Sequence, residues 1–386
     1  MIRVALFLVL SLVFIPLKSQ TLTDASRVSV LTVGSGRSLN DAFGHNAFRV
    51  QDDSLGIDYV FDYGRYDFEA PNFYLKFARG KLDYLLGLSY YKDFIQAYKS
   101  QDRTVKQQWL NLNLSQKQQL FEFLKNNYKD ENRAYRYDFF YNNCATKIKD
   151  VLKVVTQNQI TFNTPDGFSP KTFRTLIQDE LDWNTWGSLG IDIALGSVID
   201  KAATAEEHMF LPKYIYTFFE QASIAQGSPL VIRSETVYQQ QIAYPKSSFW
   251  SSPLFVMLLL SFVIIWITFK DRKNNTNSRW LDTLIVLITG LIGFLLLLLW
   301  FATDHTATAF NYNLLWAFPI NILLIFQLYR QKLSPWVKPY IKLLIVLIAL
   351  LILHWFTGVQ RFAPALLPLL IALVYRYVFW IQNQEY

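Results

Sequence analysis

At 386 residues with 52% apolar side chains, the chain is long enough for one globular core plus a separate lipid-buried region, and overall averages conceal that division. Its formal net charge of +7 gathers in short links between apolar stretches, so it reads as membrane topology and points to no nucleic-acid partner. A single cysteine excludes an intramolecular disulfide framework.

In chain order, Arg3 precedes an apolar run from Val4 to Leu17. This is the layout of a secretory signal over residues 1–20, with a charged start and a run too short to span comfortably. Leu17, Lys18, Ser19 and Gln20 lack the small-x-small cleavage pattern, so cleavage near Ser19 or Gln20 and retention as a short anchor both fit. Residues 21–250 have the composition of one mixed globular domain, without repeat, low-complexity tract or charge run, and are expected to form an exported α+β unit. Strands are predicted over Val28–Val33, Asn46–Gln51, Tyr59–Tyr63, Leu82–Leu88 and Val105–Leu112. Helices are predicted from Pro71 to Arg79, from a Ser115 cap to Asn127, and from Pro170 to Leu181. Asn142 or Asn143 caps a further helix from Cys144 to about Val155, whose Ile148, Val151, Leu152 and Val155 share one apolar stripe with Cys144.

Residues 251–386 hold five apolar stretches: Pro253–Phe269, Trp280–Phe301, Leu314–Leu328, Leu343–Phe356 and Phe362–Trp380. Most approach the roughly 20 residues that a crossing helix needs. The third and fourth are short, and Pro319, Pro364 and Pro368 are expected to kink their helices. Lys270, Arg272, Lys273 and Arg279 fill the first link, and Arg330, Lys332, Lys338 and Lys342 the third. Both links therefore lie inside, and the exported domain lies outside with the links that carry Asp304 and Arg361. Tryptophans at or near span ends, among them Trp250, Trp280, Trp300 and Trp336, suit interfacial anchoring.

A lone exported thiol asks for a reason. At the first turn of a helix, Cys144 would feel the positive end of the backbone dipole, which favours thiolate, and the free N–H groups there could hold an oxyanion. Filling the core is the plain alternative, since the residue lies on the apolar stripe. A cysteine nucleophile needs a base, and the exported domain offers His45 and His208. His45 is favoured because Gly44 permits close backbone approach beside it. Asp62 or Asn46 could orient the imidazole. Arg136, Tyr137 and Asp138 stand near enough to line the same cleft, although ion pairing among themselves is simpler. No spaced pair of histidines or cysteines suggests zinc, and no cofactor is expected.

Phe43-Gly44-His45-Asn46-Ala47-Phe48, Phe61-Asp62-Tyr63-Gly64, Pro71-Asn72-Phe73 and Tyr141-Asn142-Asn143-Cys144-Ala145-Thr146 together resemble the Lnb family, the lipoprotein N-acyltransferases of Bacteroidota. The likeness extends to Thr172-Phe173-Arg174 and Met209-Phe210-Leu211-Pro212, while the membrane half matches only in having several spans. It implies a papain-like, permuted NlpC/P60-type α+β domain, in which histidine precedes cysteine, followed by an all-α bundle of about five transmembrane helices. Carried over, it makes Cys144 the nucleophile and His45 its base, with Asp62 the candidate orienting group and Asn46, Tyr63, Asn143 and Arg136 candidates for substrate contact. Lys147 and Lys149 stand where arginines would be expected, which keeps charge but loses a forked donor.

The implied reaction moves an acyl chain from a membrane phospholipid, through a Cys144 thioester, to the α-amino group of a diacylglyceryl lipoprotein, at the periplasmic face of a bacterial inner membrane. Asp304, His305, His354 and Arg361, near the outer interface, are candidates for a lipid head group. The competing readings are a membrane-tethered cysteine amidase or peptidase acting on cell-wall peptides, and a non-catalytic binding or scaffold protein.

Overall fold

The computed structural model describes residues 21–225, 227–244, 248–330 and 333–382. The expected signal segment, 1–20, lies outside the described residues.

Strand β1 (Arg27–Val33) is buried along nearly its whole length because both faces of the sheet are covered. Val28 and Val30 join the larger core and Leu31 and Val33 a smaller one on the other side. It pairs with β2 (His45–Asp52), which pairs with β3 (Ile57–Arg65). After the short helix α1 (Phe73–Ala78), β4 (Asp83–Tyr90) continues the meander. Helix α2 (Tyr91–Ser100) covers the smaller core, and β5 (Val105–Leu110) returns beside β1.

Helix α3 (Leu114–Tyr128) packs on the larger core. It is capped by Asn113 in a reciprocal box with Gln116, two residues before the expected Ser115 cap, because that box satisfies two free amides at once. Strand β6 (Ala134–Arg136) follows, then α4 (Cys144–Val155), whose Ile148, Val151, Leu152 and Val155 enter the larger core as their spacing requires.

Three short strands, β7 (Ile160–Thr161), β8 (Ser223–Ile224) and β9 (Ser228–Pro229), form a small separate sheet. Between β7 and β8 run α5 (Phe173–Gln178), α6 (Trp186–Ala194) and α7 (Pro212–Gln221). Thr172, not Pro170, starts α5, because its hydroxyl accepts the Thr175 amide. Strand β10 (Val231–Tyr238) closes the main antiparallel sheet, in the order β10-β5-β1-β2-β3-β4-β6.

Among the described residues, four helices are long and apolar enough to cross a membrane: α8 (Pro253–Asn274), α9 (Arg279–Phe301), α11 (Val337–Phe356), and α12 (Leu367–Gln382) with the single turn from Pro364 before it. The expected third span is interrupted. Leu314–Leu328 is broken into a 3-10 turn, Tyr312–Leu315, and an eight-residue helix, α10 (Asn321–Leu328), with Pro319 between them. Gly293 of α9 makes room for that irregular stretch, since a Cβ there would stand 2.1 Å from the Ala317 carbonyl oxygen. Asn321 serves its polar needs, donating to Thr289 Oγ1 at 2.8 Å and accepting from Tyr340 Oη at 2.6 Å. At the other end of the bundle, Arg376 of α12 binds Asp271 of α8 at 2.7 Å and Asp282 of α9 at 2.6 Å, joining three helices through buried, paired charges.

The loop after α9 docks on the exported domain. The Asp304 amide donates to the Arg79 carbonyl at 2.9 Å, Thr306 Oγ1 to Asp138 Oδ2 at 2.7 Å, and the Gly196 amide to the Ala307 carbonyl at 2.9 Å. Asn311 and Asn313 donate to the carbonyls at the end of α6, at 2.8 and 2.9 Å. Asp304 and His305 both touch the exported domain, Asp304 through its amide and His305 through Nε2, 3.1 Å from the Ala78 carbonyl oxygen.

Candidate active site

The site forms where two strands part. β2 and β3 pair from Asp52/Ile57 to Phe48/Phe61 and no further, so His45–Ala47 and Asp62–Gly64 are unpaired with each other. The first turn of α4 faces this gap. Gly64 has φ +100°, a conformation that favours glycine, and a Cβ built there would lie 3.9 Å from Cys144 Cβ and 4.0 Å from the Tyr135 hydroxyl.

Cys144 is half-buried at the start of α4. Asn143 holds the turn: its Oδ1 accepts the amides of Ala145 and Thr146, both at 2.9 Å, while its Nδ2 donates to the carbonyls of Phe139 at 2.7 Å and Phe210 at 2.8 Å. The Cys144 amide is not one of the two that this cap accepts. Burial works against the thiolate, but the His45 imidazole and the backbone amides of Asn46 and Ala145 outweigh it and hold the thiol below its ordinary value. For His45, burial opposes charge. The Tyr98 oxygen, the Cys144 sulfur and the Asp62 carboxylate overcome it and raise the imidazole well above its usual value. The two shifts describe one coupled pair that favours thiolate and imidazolium together.

Asp62 meets the imidazole, with Oδ2 3.4 Å from His45 Nε2. Burial would raise its carboxyl, yet His45 and Arg65 lower it. Arg65 grips the carboxylate with Nη2 at 2.6 Å and Nε at 3.0 Å from Oδ1. A residue three positions along a regular strand would face away from Asp62. The register shift between Tyr63 and Arg65 returns it to the same face, which alternation alone could not foresee.

The structure thus brings Cys144 and Asp62 both beside the His45 imidazole. The other predicted contacts divide. Asn46 gives its backbone amide to the sulfur, but its side chain is buried and donates to Thr32 Oγ1 at 2.9 Å, so it does not orient the imidazole. Tyr63 turns into the larger core, 1% exposed, with its hydroxyl on Asn127 Oδ1 at 2.6 Å; its place is packing, not the cleft. Asn143 acts through the helix cap. Arg136 is exposed on β6, 3.5 Å from Asp83 and 4.0 Å from Asp304, at the junction of the two halves. His208 is enclosed, with Nδ1 2.7 Å from the Thr204 carbonyl and Nε2 accepting the Lys171 amide, and burial lowers its pKa.

Two tyrosines stand near the sulfur: Tyr137, which the sequence already placed at the cleft, and Tyr135, which it did not single out. Among the described residues the buried Tyr135 hydroxyl has no hydrogen-bond partner, and burial together with Cys144 raises its pKa. Burial and Cys144 also raise Tyr137, whose ring stacks on Tyr84 at 4.0 Å. Among the described residues no group of three or more histidine, cysteine or acidic side chains gathers to hold a metal ion.

No curated protein and no solved structure matches the chain. Two family models do: the Lnb N-terminal periplasmic domain over residues 17–179 and the Lnb transmembrane domain over residues 245–385. With both its halves matched by models of one family, this multi-pass membrane protein with a periplasmic α+β domain belongs to the Lnb family.

Proposed function

We propose that the protein is a lipoprotein N-acyltransferase of the bacterial inner membrane, with Cys144 as nucleophile. Membership of the Lnb family supports a membrane-associated role in lipoprotein processing. The observation that carries the chemistry is Cys144 at a helix start beside His45, its thiol held below and the imidazole raised above their ordinary values, after a loop whose Asp138 is bonded to Thr306 of the membrane half at 2.7 Å. A nucleophile so placed meets ester bonds at the membrane surface, where both substrates are confined to two dimensions.

In the first step Cys144 thiolate attacks an ester carbonyl of a phospholipid, and the Cys144 amide and Tyr135 hydroxyl are the donors beside the resulting oxyanion. The intermediate expels the glycerol oxygen, which takes its proton from His45 imidazolium, and leaves a thioester on the enzyme and a lysophospholipid. In the second step the α-amine of a diacylglyceryl lipoprotein attacks the thioester, His45 accepts the amine proton, and the thiolate departs. Asp62 and Arg65 hold the imidazole throughout. The amine prevails over water because the apolar, lipid-facing side of the cleft keeps water scarce.

Incubation of the full chain with isotope-labelled phospholipid and no acceptor is expected to leave a hydroxylamine-sensitive acyl group on the Cys144 peptide, absent in Cys144→Ala. Adding a diacylated lipopeptide should discharge it onto the amine. An unlabelled Cys144 under turnover conditions overturns the two-step scheme. Discharge to free fatty acid alone, with cell-wall peptides altered in a deletion strain, would favour the hydrolase.

A further inference from the structure

A cavity of about 330 Å3 lies between the exported domain and the loop after α9, within the range of about 300 to 1,000 Å3 usual for small-molecule sites. Its walls are largely apolar, with Phe77, Tyr84, Tyr137 and Ile191 on one side and Ala307 on the other. It adjoins the nucleophile: Tyr137 is close enough for the sulfur to perturb its hydroxyl, and Phe43, two residues before His45, forms part of the same wall.

The outer edge of this cavity is an exposed apolar segment. Phe68 is 72% exposed, Tyr74 82% and Leu75 58%, and Phe77 reaches from the same face into the cavity. A soluble surface seldom gathers so many large apolar side chains without a partner. The Asp304 amide and His305 Nε2, on the Arg79 and Ala78 carbonyls, hold α1 beside the end of α9, where Phe301 is 73% exposed, so the patch continues the apolar belt of the spans. Arg79, at the end of α1, is exposed and makes no ion pair among the described residues, which suits a position at the phosphate level.

We infer that the segment Phe68–Phe77 dips into the outer leaflet and that the cavity behind it receives the fatty chain of a membrane lipid, leading the carbonyl end toward Cys144. This rests on the acyl-transfer reading, and it names the site through which that reaction would be fed.

The test uses full-length Cys144→Ala protein in nanodiscs holding a phosphatidylethanolamine with a diazirine at the end of one acyl chain. Because this variant cannot form a thioester, occupancy is read apart from chemistry. Cross-links to Tyr84, Tyr137 or Ile191 are expected, and Ile191→Trp should reduce them several-fold. Cross-links confined to the outward faces of the spans overturn the inference, even if wild-type protein traps an acyl-enzyme; cavity cross-links without any acyl-enzyme would leave it standing and remove the transfer reading. Independently of Ile191→Trp folding, a nitroxide on Tyr74→Cys in the Cys144→Ala background, then the only thiol, should collide more with oxygen than with a water-soluble nickel complex. The reverse order places the segment in water and also overturns the inference.

Discussion

Asp62 decides how long His45 keeps its proton. Its carboxylate favours the imidazolium against burial, so Asp62→Asn should lower the imidazole pKa and move the alkaline limb of the acylation rate to lower pH. The acid limb, set by thiolate formation, should move upward as the imidazolium that stabilises it weakens. A narrower bell and a fall of about 10²-fold in the acylation rate, measured by single-turnover labelling across pH, are the expected outcome. An unchanged profile would make Asp62 a partner of Arg65 only. Cys144 was legible as the candidate nucleophile because one thiol preceded by asparagine opens an apolar helical stripe. Arg65 was not, since a bulge and not the strand period aims it.

The start of α4 shows how one residue holds an element and a site together. Asn143 satisfies two amides of the helix and, through Nδ2, two carbonyls outside it. Asn143→Ala removes the cap and leaves buried carbonyls unserved, a cost of about 2 kcal/mol or more. Asn143→Asp keeps the acceptor and loses only the donors, so its thermal midpoint in detergent should fall between those of the alanine variant and the natural protein. Equal loss in both would assign the whole effect to the Phe139 and Phe210 carbonyls. Among the elements, the strand and helix signals of β1, β2, β3 and α4 could be read directly. The third span could not: Pro319 announced a kink, but only packing against Gly293 and the Asn321 bonds made a broken segment preferable to a kinked helix.

Across the whole molecule, Arg174 ties the halves from the exported side. It is fully buried, binds Asp192 at 3.0 Å and Asp200 at 2.9 Å, and Asp200 also accepts the Arg361 amide from the loop before α12 at 3.2 Å. Burial already raises both carboxyls, with Arg174 opposing. Arg174→Met leaves two uncompensated buried carboxylates and should cost about 3–5 kcal/mol at neutral pH. The sign with pH follows. With the arginine gone, both folded pKa values stand above the unfolded ones, so the penalty is greatest at high pH and shrinks as the carboxyls take up protons on acidification. Thermal unfolding of the detergent-solubilised variant at neutral and mildly acidic pH should therefore show partial recovery, and a constant deficit would mean lost packing instead.

Composition and periodicity determined the two-part plan, because apolar runs of spanning length and alternating strands are local properties that need no partner to be read. They also singled out Cys144 and His45, through the scarcity of their residue types. The tertiary structure alone decided that Asp62 meets the imidazole and Tyr63 the core, since alternation sends neighbours to opposite faces without saying which face the site will occupy. It alone placed the loop after α9 against the nucleophile's loop, because contacts between segments more than 150 residues apart leave no mark in the spacing of either.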